Sequence, residues 1–496
     1  MRKGNPRSGT GDGQPAGGVS RAGFQWRTVG WLAGLLVAIG AGCKTGPDYE
    51  RPEVETPDAW RWKAAEPRDH VPRGEWWRVY GDPRLDDLEW AAMESNLDLQ
   101  AALARVDQAR AVARISRSDF FPTVNGAASF TRYRSSGNAP TPLGFTIPSF
   151  HVSQWSVPFD LSYEFDVWGK VRRGFEAARN RAVAAEAARQ SLMLTLQADV
   201  AANYFSLVGV AEQIRTLEET IALRREALKI FEQRLAAGVG TEFEVERTKV
   251  EIATADADLG QVRQREAELG NALAILCGRP PSDFVVEVAD RLPVPPEIAP
   301  DIPASMLERR PDVAEAERQL VARNAEIGVA KAALFPSIRL TAQGGFQSGD
   351  LEDLFLWESR TWGISPQVTV PIFEGGRLRA DLERSRAAYD EAVATYRQKV
   401  LVAFREVDDS LAAIRFLQDR YTARAAAVEA AGNSAEIALK RFSAGTVSFL
   451  EVVDAASLKL NNDLARIAVA TEQLNATVRL IKALGGGWEE PQLSQR

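Results

Sequence analysis

The sequence predicts a mainly α-helical chain that carries four amphipathic β-strands and contributes them to a transmembrane β-barrel. Three observations predict it. Two stretches without proline, Phe159–Arg279 and Ile372–Glu490, run for 121 and 119 residues and are rich in Ala, Glu, Arg, Leu and Gln, which are good helix formers. Two segments of about eleven residues alternate apolar and polar side chains, the length and period of a tilted membrane strand. Finally, the same motifs occur twice, in the same order, so the chain holds two internal structural repeats.

The first element is N-terminal. Residues 1–28 are polar and basic, and Trp31–Gly42 is a short apolar run. The run is too short to span a bilayer and, behind its basic flank, predicts a signal peptide over 1–42. Gly40-Ala41-Gly42 directly precede Cys43, an arrangement that resembles a bacterial lipoprotein cleavage box with Cys43 as the acylated first residue. Gly40 stands where such boxes usually carry Leu. A plain signal peptide with an incidental cysteine is the alternative. Residues 43–84 read as a tether segment.

The repeat organises the rest. Asn96–Pro122 matches Arg310–Pro336, with Asp98 against Asp312 and Phe121-Pro122 against Phe335-Pro336, an offset of 214. Further on, Trp168–Arg172 faces Gly375–Arg379, and Arg234–Val245 faces Arg441–Val452, both at an offset of 207. The expected domains are therefore repeat 1 over 85–304 (helix, β-hairpin 123–166, long helix, turn near Gly238, helix, Pro-rich link) and repeat 2 over 305–485 (helix, β-hairpin 337–372, long helix, turn near Gly445, helix), with a tail at 486–496. The offsets differ by seven residues, which places the extra length of repeat 1 inside its hairpin.

In the strands, Trp155, Val157, Phe159, Leu161, Tyr163 and Phe165 alternate with Ser156, Pro158, Asp160, Ser162 and Glu164. The second copy runs Trp362, Ile364, Pro366, Val368, Val370 and Ile372 against Gly363, Ser365, Gln367, Thr369 and Pro371. The partner strands present Val124, Gly126, Ala128 and Phe130, and Ile338, Leu340, Ala342 and Phe346. A soluble sheet half-buried on a core gives the same alternation. Prolines 158, 366 and 371 are awkward for a central soluble strand, and Trp155 and Trp362 suit an aromatic girdle. Four strands cannot close a membrane barrel, and open edges are not tolerated in lipid. Chains must then pool strands, and three copies give a barrel of about twelve.

The long helices come next. Tyr389, Val393, Tyr396, Val400, Phe404, Val407, Leu411 and Ile414 follow three-four spacing, which suits helix-on-helix packing. A helix from Lys170 to Ala236 is about 100 Å long at 1.5 Å per residue. Gly238 and Gly445 suit left-handed stops.

Composition narrows the function classes. The chain has two cysteines, Cys43 and Cys277, and two histidines, His70 and His151. That leaves too few ligands for a multi-cysteine metal site, a disulfide framework, zinc catalysis or Ser-His-Asp chemistry. There is no glycine-rich phosphate loop, so no cofactor is expected beyond the lipid on Cys43. The formal charge is −7, and falls to −11 once residues 1–42, with five basic groups and one acid, are set aside. A chain this acidic is a poor partner for nucleic acid.

Six ordered blocks then carry a resemblance: Cys43–Pro52 (CKTGPDYERP), Glu75–Leu88 (EWWRVYGDPRLDDL), Asn271–Pro281 (NALAILCGRPP), Leu307–Glu317 (LERRPDVAEAE), Ala332–Leu340 (AALFPSIRL) and Ser448–Ala455 (SFLEVVDA). Together they resemble the outer-membrane efflux protein family, the TolC-like outer-membrane factors of tripartite pumps. The nearest branch is the lipoproteins paired with resistance-nodulation-division pumps. The resemblance covers residues 43 to about 485. Cys277 replaces a usual Leu and reads as a buried apolar substitute.

The resemblance implies a homotrimer with a twelve-stranded barrel in outer-membrane lipid, continued by a periplasmic α-helical barrel. It implies docking to a periplasmic adaptor protein and an inner-membrane resistance-nodulation-division pump, and a passive exit channel, not an enzyme. An exit duct for type I-like protein secretion is the alternative. Glu451 and Asp454 share a face at a helix start and match the family's acidic periplasmic gate, where three copies would favour cations. Acids are also favoured at any helix N-terminus. Val447 stands where some relatives carry a basic residue in the lock. The turns holding Gly238, Thr241, Gly445 and Ser448 are the expected adaptor-docking tip, although they are equally plain helix-helix turns. Asp160 and Glu164 are the expected acids of the barrel lumen, or simply solvated strand residues.

Overall fold

The computed structural model describes residues 44–55, 74–138, 148–298 and 309–486. Cys43 and the apolar run before it lie outside the described residues. The chain divides into two compact units, and each repeat contributes to both.

The strand unit comprises 44–46, 120–172 and 331–375. It holds β1 (Thr123–Gly126), β2 (Ser129–Arg134), β3 (His151–Phe165), β4 (Ser337–Ser348) and β5 (Arg360–Thr369). All pairings are antiparallel, with β1 and β2 both on β3, then β4, then β5. β1 and β2 are one strand interrupted at Ala127 and Ala128 with no change of register, since Gly126 pairs with Phe159 and Ser129 with Ser156. The gap lies opposite Pro158, which has no N–H to donate, although its carbonyl still accepts from Ala127 N at 3.1 Å. Gly345 sits opposite Pro158 on the other side. A Cβ there would come within 2.2 Å of the Val157 carbonyl oxygen, so only glycine lets the strands close. β5 stops at Thr369, short of the expected Ile372, just before Pro371.

The register aligns the alternation across the sheet. Val124, Leu161, Ala342 and Ile364 form one cross-strand row, and Gly126, Phe159, Gly344 and Trp362 the next. The opposite face carries Thr123, Ser162, Thr341 and Ser365 in one row. A one-residue slip would exchange the two faces. Phe159, Trp362, Ile364 and Val368 are all more than half exposed, as a face awaiting an apolar solvent requires. After β3, Trp168 stacks on Phe335 at 4.9 Å and donates from Nε1 to the Pro336 carbonyl at 2.7 Å. That contact joins the ends of the two hairpins.

The helical unit comprises, among the described residues, 47–55, 74–119, 173–298, 309–330 and 376–486. Its α-helices are α1 (Pro83–Ser95), α2 (Leu97–Ser118), α3 (Lys170–Ala236, begun in the strand unit), α4 (Glu242–Leu276), α5 (Pro311–Ala332), α6 (Arg377–Ser443) and α7 (Phe449–Ala483). The two copies match in length: α2 and α5 have 22 residues each, α3 and α6 have 67, and α4 and α7 have 35. None of the described helices is long and apolar enough to cross a membrane.

One core gathers Leu196, Val200, Tyr204 and Phe205 of α3 with Leu474, Val478 and Ile481 of α7. Trp76 and Trp77, from a 3-10 turn at Trp76–Tyr80, are fully buried in it. The tether expected over 43–84 therefore ends in a core element. Trp76 Nε1 donates to Gln197 at 3.2 Å, and Tyr80 Oη bonds Thr477 at 2.8 Å. These polar partners let the Trp76 and Tyr80 rings enter the core, whereas Trp77 Nε1 has no partner among the described residues. A second cluster holds Tyr396, Val400, Phe404, Val407 and Leu411 of α6, with Tyr389, Val393 and Ile414 beside them, the stripe that the spacing predicts. The first described part of the N-terminal segment packs on helices. Tyr49 and Arg51 grip Glu317 of α5, and Arg173 and Asn324 both donate to the Pro47 carbonyl, at 2.7 and 3.1 Å.

Candidate functional site

The α3–α4 and α6–α7 turns form the most informative group. Gly238 and Gly445 have φ of 75° and 71°, a left-handed conformation that terminates each helix at little steric cost. The Val239 and Thr446 amides donate back to Arg234 and Arg441, each at 3.0 Å. The two turns then differ. Thr241 caps α4 with a complete capping box, its Oγ1 accepting from Glu244 N while the Glu244 carboxylate accepts from Thr241 N at 2.9 Å. Ser448 and Glu451 have the same spacing at the start of α7, yet Ser448 makes no side-chain cap bond. Glu244 and Glu451 are repeat equivalents, 207 residues apart. One carboxylate is consumed by its helix, and the other is left free.

Glu451 and Asp454 are both exposed on one face of α7, and neither forms an ion pair with a described residue. Val447 is partly buried in the turn before them. Behind them the turns are locked by three aromatic rings that the spacing alone did not single out. Phe231 of α3 lies 4.3 Å from Phe449 of α7, and Phe442 of α6 lies 5.7 Å from Phe449. Arg234 sits over the Phe442 ring. Each phenylalanine reads in the sequence as one more apolar helix residue, and only the antiparallel return of both hairpins brings them together.

Above the rings is an apolar cavity of about 420 Å³ between α3, α4, α6 and α7, with Leu223, Ile230, Leu439 and Val453 among its walls. Arg224 on its wall donates to the Glu251 carbonyl at 2.8 Å and to Ser457 Oγ at 3.2 Å, and pairs with the Glu251 carboxylate at 3.2 Å. Arg247 reaches the other Glu251 oxygen at 3.0 Å. The network ties α3, α4 and α7 one turn beyond Asp454.

In the strand unit, Asp160 is exposed on the polar face between Asn125 and Gln343. Glu164 lies on the same face but is held by Lys170 at 3.0 Å and Arg339 at 3.5 Å. Its charge is balanced locally, so the acidic field expected from the pair reduces to Asp160. The sequence hid this because Arg339 is 175 residues away.

Two buried groups complete the inventory. Cys277 is fully buried, its Sγ lies 3.7 Å from the Leu88 carbonyl, and burial pushes the thiol up to about 11. A thiol so placed is not a nucleophile. Glu89 of α1 is also fully buried, and neither carboxyl oxygen has a hydrogen-bond partner among the described residues. Burial, and to a lesser degree Asp86, holds its pKa well above the usual carboxylate range. Among the described residues, no group of three or more His, Cys, Asp and Glu side chains is placed to hold a metal ion.

With this geometry in view, comparison with known proteins is direct. The family model described as outer membrane efflux protein matches residues 91–279 and 302–486, one segment in each repeat. Outer membrane protein OprJ of Pseudomonas aeruginosa is 34% identical over 467 residues, covering 92% of this chain and 96% of that protein. The toluene efflux pump outer membrane protein TtgI of Pseudomonas putida is 34% identical over 466 residues, covering 92% and 98%. Among solved structures, the outer-membrane channel OprN superposes with a TM-score of 0.83 at 30% identity, covering 90% of this chain and 100% of that one. The Campylobacter jejuni CmeC outer membrane channel gives 0.82 at 27%, covering 91% and 96%.

Proposed function

The chain belongs to the outer membrane efflux protein family, and from that premise we propose that it is the passive outer-membrane exit channel of a tripartite efflux system for small toxic compounds. The observation that carries the proposal is the sheet. Its apolar side chains align across the strands on one face, and among the described residues β5 and the β1–β2 strand each leave an outer edge unpaired. Unpaired edges cannot stand in lipid, so the functional unit pools strands from three chains into a barrel of about twelve. The apolar face meets lipid, and the face of Asp160 and Thr341 lines the water-filled interior.

The long helices extend this conduit into the periplasm, and energy comes from an inner-membrane pump of the resistance-nodulation-division type joined through an adaptor. The relatives named for toluene, solvent and antibiotic efflux support small organic toxicants as the cargo class. The adaptor meets the tip turns at Gly238, Thr241, Gly445 and Ser448. Glu451 and Asp454, three copies of each around the axis, form the acidic gate and favour cations. The freedom of the Glu451 carboxylate, beside a consumed Glu244, supports that assignment. A lipid on Cys43 anchors the assembly as a second membrane attachment.

Planar-bilayer recording of the purified protein tests the reading. Discrete cation-preferring conductance is expected, with the preference lost in Glu451→Ala/Asp454→Ala. A deletion strain should become hypersensitive across a panel of drugs, dyes and solvents. No conductance, together with unchanged susceptibility, would overturn the proposal.

A further inference from the structure

The segment between β4 and β5, residues 349–359, does not behave as a polar surface loop. Leu351, Phe355, Leu356 and Trp357 are exposed by 54%, 69%, 50% and 72%, an apolar patch that water penalises and that single scattered side chains do not explain. The segment is also ordered. Leu354 N donates to the Leu351 carbonyl, Leu356 N to the Asp353 carbonyl, and Ser359 Oγ to the Asp353 carbonyl at 2.7 Å. These bonds fix the backbone so that the apolar side chains stand outward.

Its position is specific. Phe355 meets Phe346 edge to face at 5.5 Å, and Phe346 is cross-strand neighbour to Val157 on the apolar face of the sheet. The segment thus folds toward the lipid side of the sheet. It leaves the sheet at Ser348, opposite Trp155, and returns at Arg360, two residues before Trp362, the two tryptophans that suit an aromatic girdle. Arg360 donates from Nε to the Trp357 carbonyl at 2.9 Å and lies over the Trp357 ring, the posture of a cation that snorkels past an aromatic toward headgroups. Asp350, Glu352, Asp353 and Glu358 are all exposed beside the patch, so the segment cannot sink deeply.

We infer that this segment is a membrane-interface anchor, which lays Phe355, Leu356 and Trp357 into the acyl-chain boundary of the outer leaflet outside the barrel wall. It extends the apolar belt upward and fixes the height of the barrel in the bilayer, as amphipathic interfacial elements do by shallow burial. The inference rests on the barrel reading above, because only then is the Phe346 face a lipid face.

The test places one nitroxide on each chain of the intact assembly. Trp357→Cys, Ile364→Cys and Thr341→Cys are each made in a Cys43→Ser background, labelled and reconstituted in phosphatidylcholine–phosphatidylglycerol vesicles, and their collision with oxygen and with a water-soluble nickel chelate is measured. Cys277 is buried and stays unlabelled. The Ile364 label reports the lipid face and the Thr341 label the water-filled face. The expected result shifts the label at 357 into the range of Ile364, with oxygen favoured and the chelate excluded. Strong chelate collision at 357 puts the segment in water and overturns the inference, and so does shielding from both reagents, which puts it against a second copy of the chain. If the Ile364 label itself collides with the chelate, the barrel reading fails instead.

Discussion

Replacing Glu89 with glutamine should remove a pH dependence that the wild-type fold carries in its core. Glu89 is fully buried, neither of its oxygens has a hydrogen-bond partner among the described residues, and its pKa lies well above the ordinary carboxylate range. In the unfolded chain the same carboxyl titrates near its usual value. The favourable contribution is therefore complete below the unfolded pKa and is lost as pH rises toward the folded one. Between the two, the unfolded state has released a proton that the folded state keeps, so stability falls by about 1.4 kcal/mol per pH unit per chain. Glu89→Gln has no proton to release. The stability difference between variant and wild type should grow in the variant's favour by that slope, then level off above the folded pKa. Glu89→Leu should be about 1–3 kcal/mol more stable than Glu89→Gln at every pH, because it also removes the unsatisfied polar atoms. Guanidinium unfolding of the detergent-solubilised protein from pH 4.5 to 8, followed by circular dichroism, measures both. Other titrating groups are common to all three proteins and cancel in the difference. A difference flat in pH, or a glutamine variant less stable than wild type at pH 7, would refute the reasoning.

Three further outcomes follow from the packing. Phe231→Ala should cost about 3–5 kcal/mol at the turns and raise both protease nicking there and single-channel conductance, because it removes the ring that contacts Phe442 and Phe449. Gly345→Ala should break the pairing of β3 with β4, read as lost β signal in circular dichroism and as loss of the proposed three-chain assembly in size-exclusion chromatography, since its Cβ would lie 2.2 Å from the Val157 carbonyl oxygen. Arg173→Met should destabilise the fold by about 1–3 kcal/mol and speed hydrogen exchange at residues 48–51, because the fully buried guanidinium holds Pro47, Asp48 and Glu176.

Much of this fold is legible because its determinants are local. Proline spacing and helix-forming composition mark α3 and α6, and Gly238 and Gly445 mark their ends, since each depends on neighbours a few residues away. The two strand faces are legible because period two is a property of one strand. What escapes is set by register and by chain return. The split of β1 from β2 needs Pro158 on the facing strand, and the second cation on Glu164, beside the local Lys170, is Arg339 from the other repeat. Trp76 and Trp77 read as part of a tether until α3 and α7 are seen to enclose them. At the turns, Glu244 and Glu451 have the same local sequence signature, and only the folded turns distinguish the carboxylate that caps its helix from the one that does not.

The identity of helix lengths between the copies, 22, 67 and 35 residues in each, bears on how such a chain can change over evolutionary time. Substitutions have plainly accumulated, for the aligned motifs differ at most positions. Insertions and deletions have not been admitted in the helices. One heptad added to α6 alone would carry the α6–α7 turn about 10 Å beyond its neighbour and part Phe442 from Phe231. Length is thus inherited as a matched set of four long helices, while the hairpins, where the copies differ by seven residues, remain open to resizing. Diversity among relatives of this chain should accordingly be written in letters along the helices and in length at the exposed strand ends.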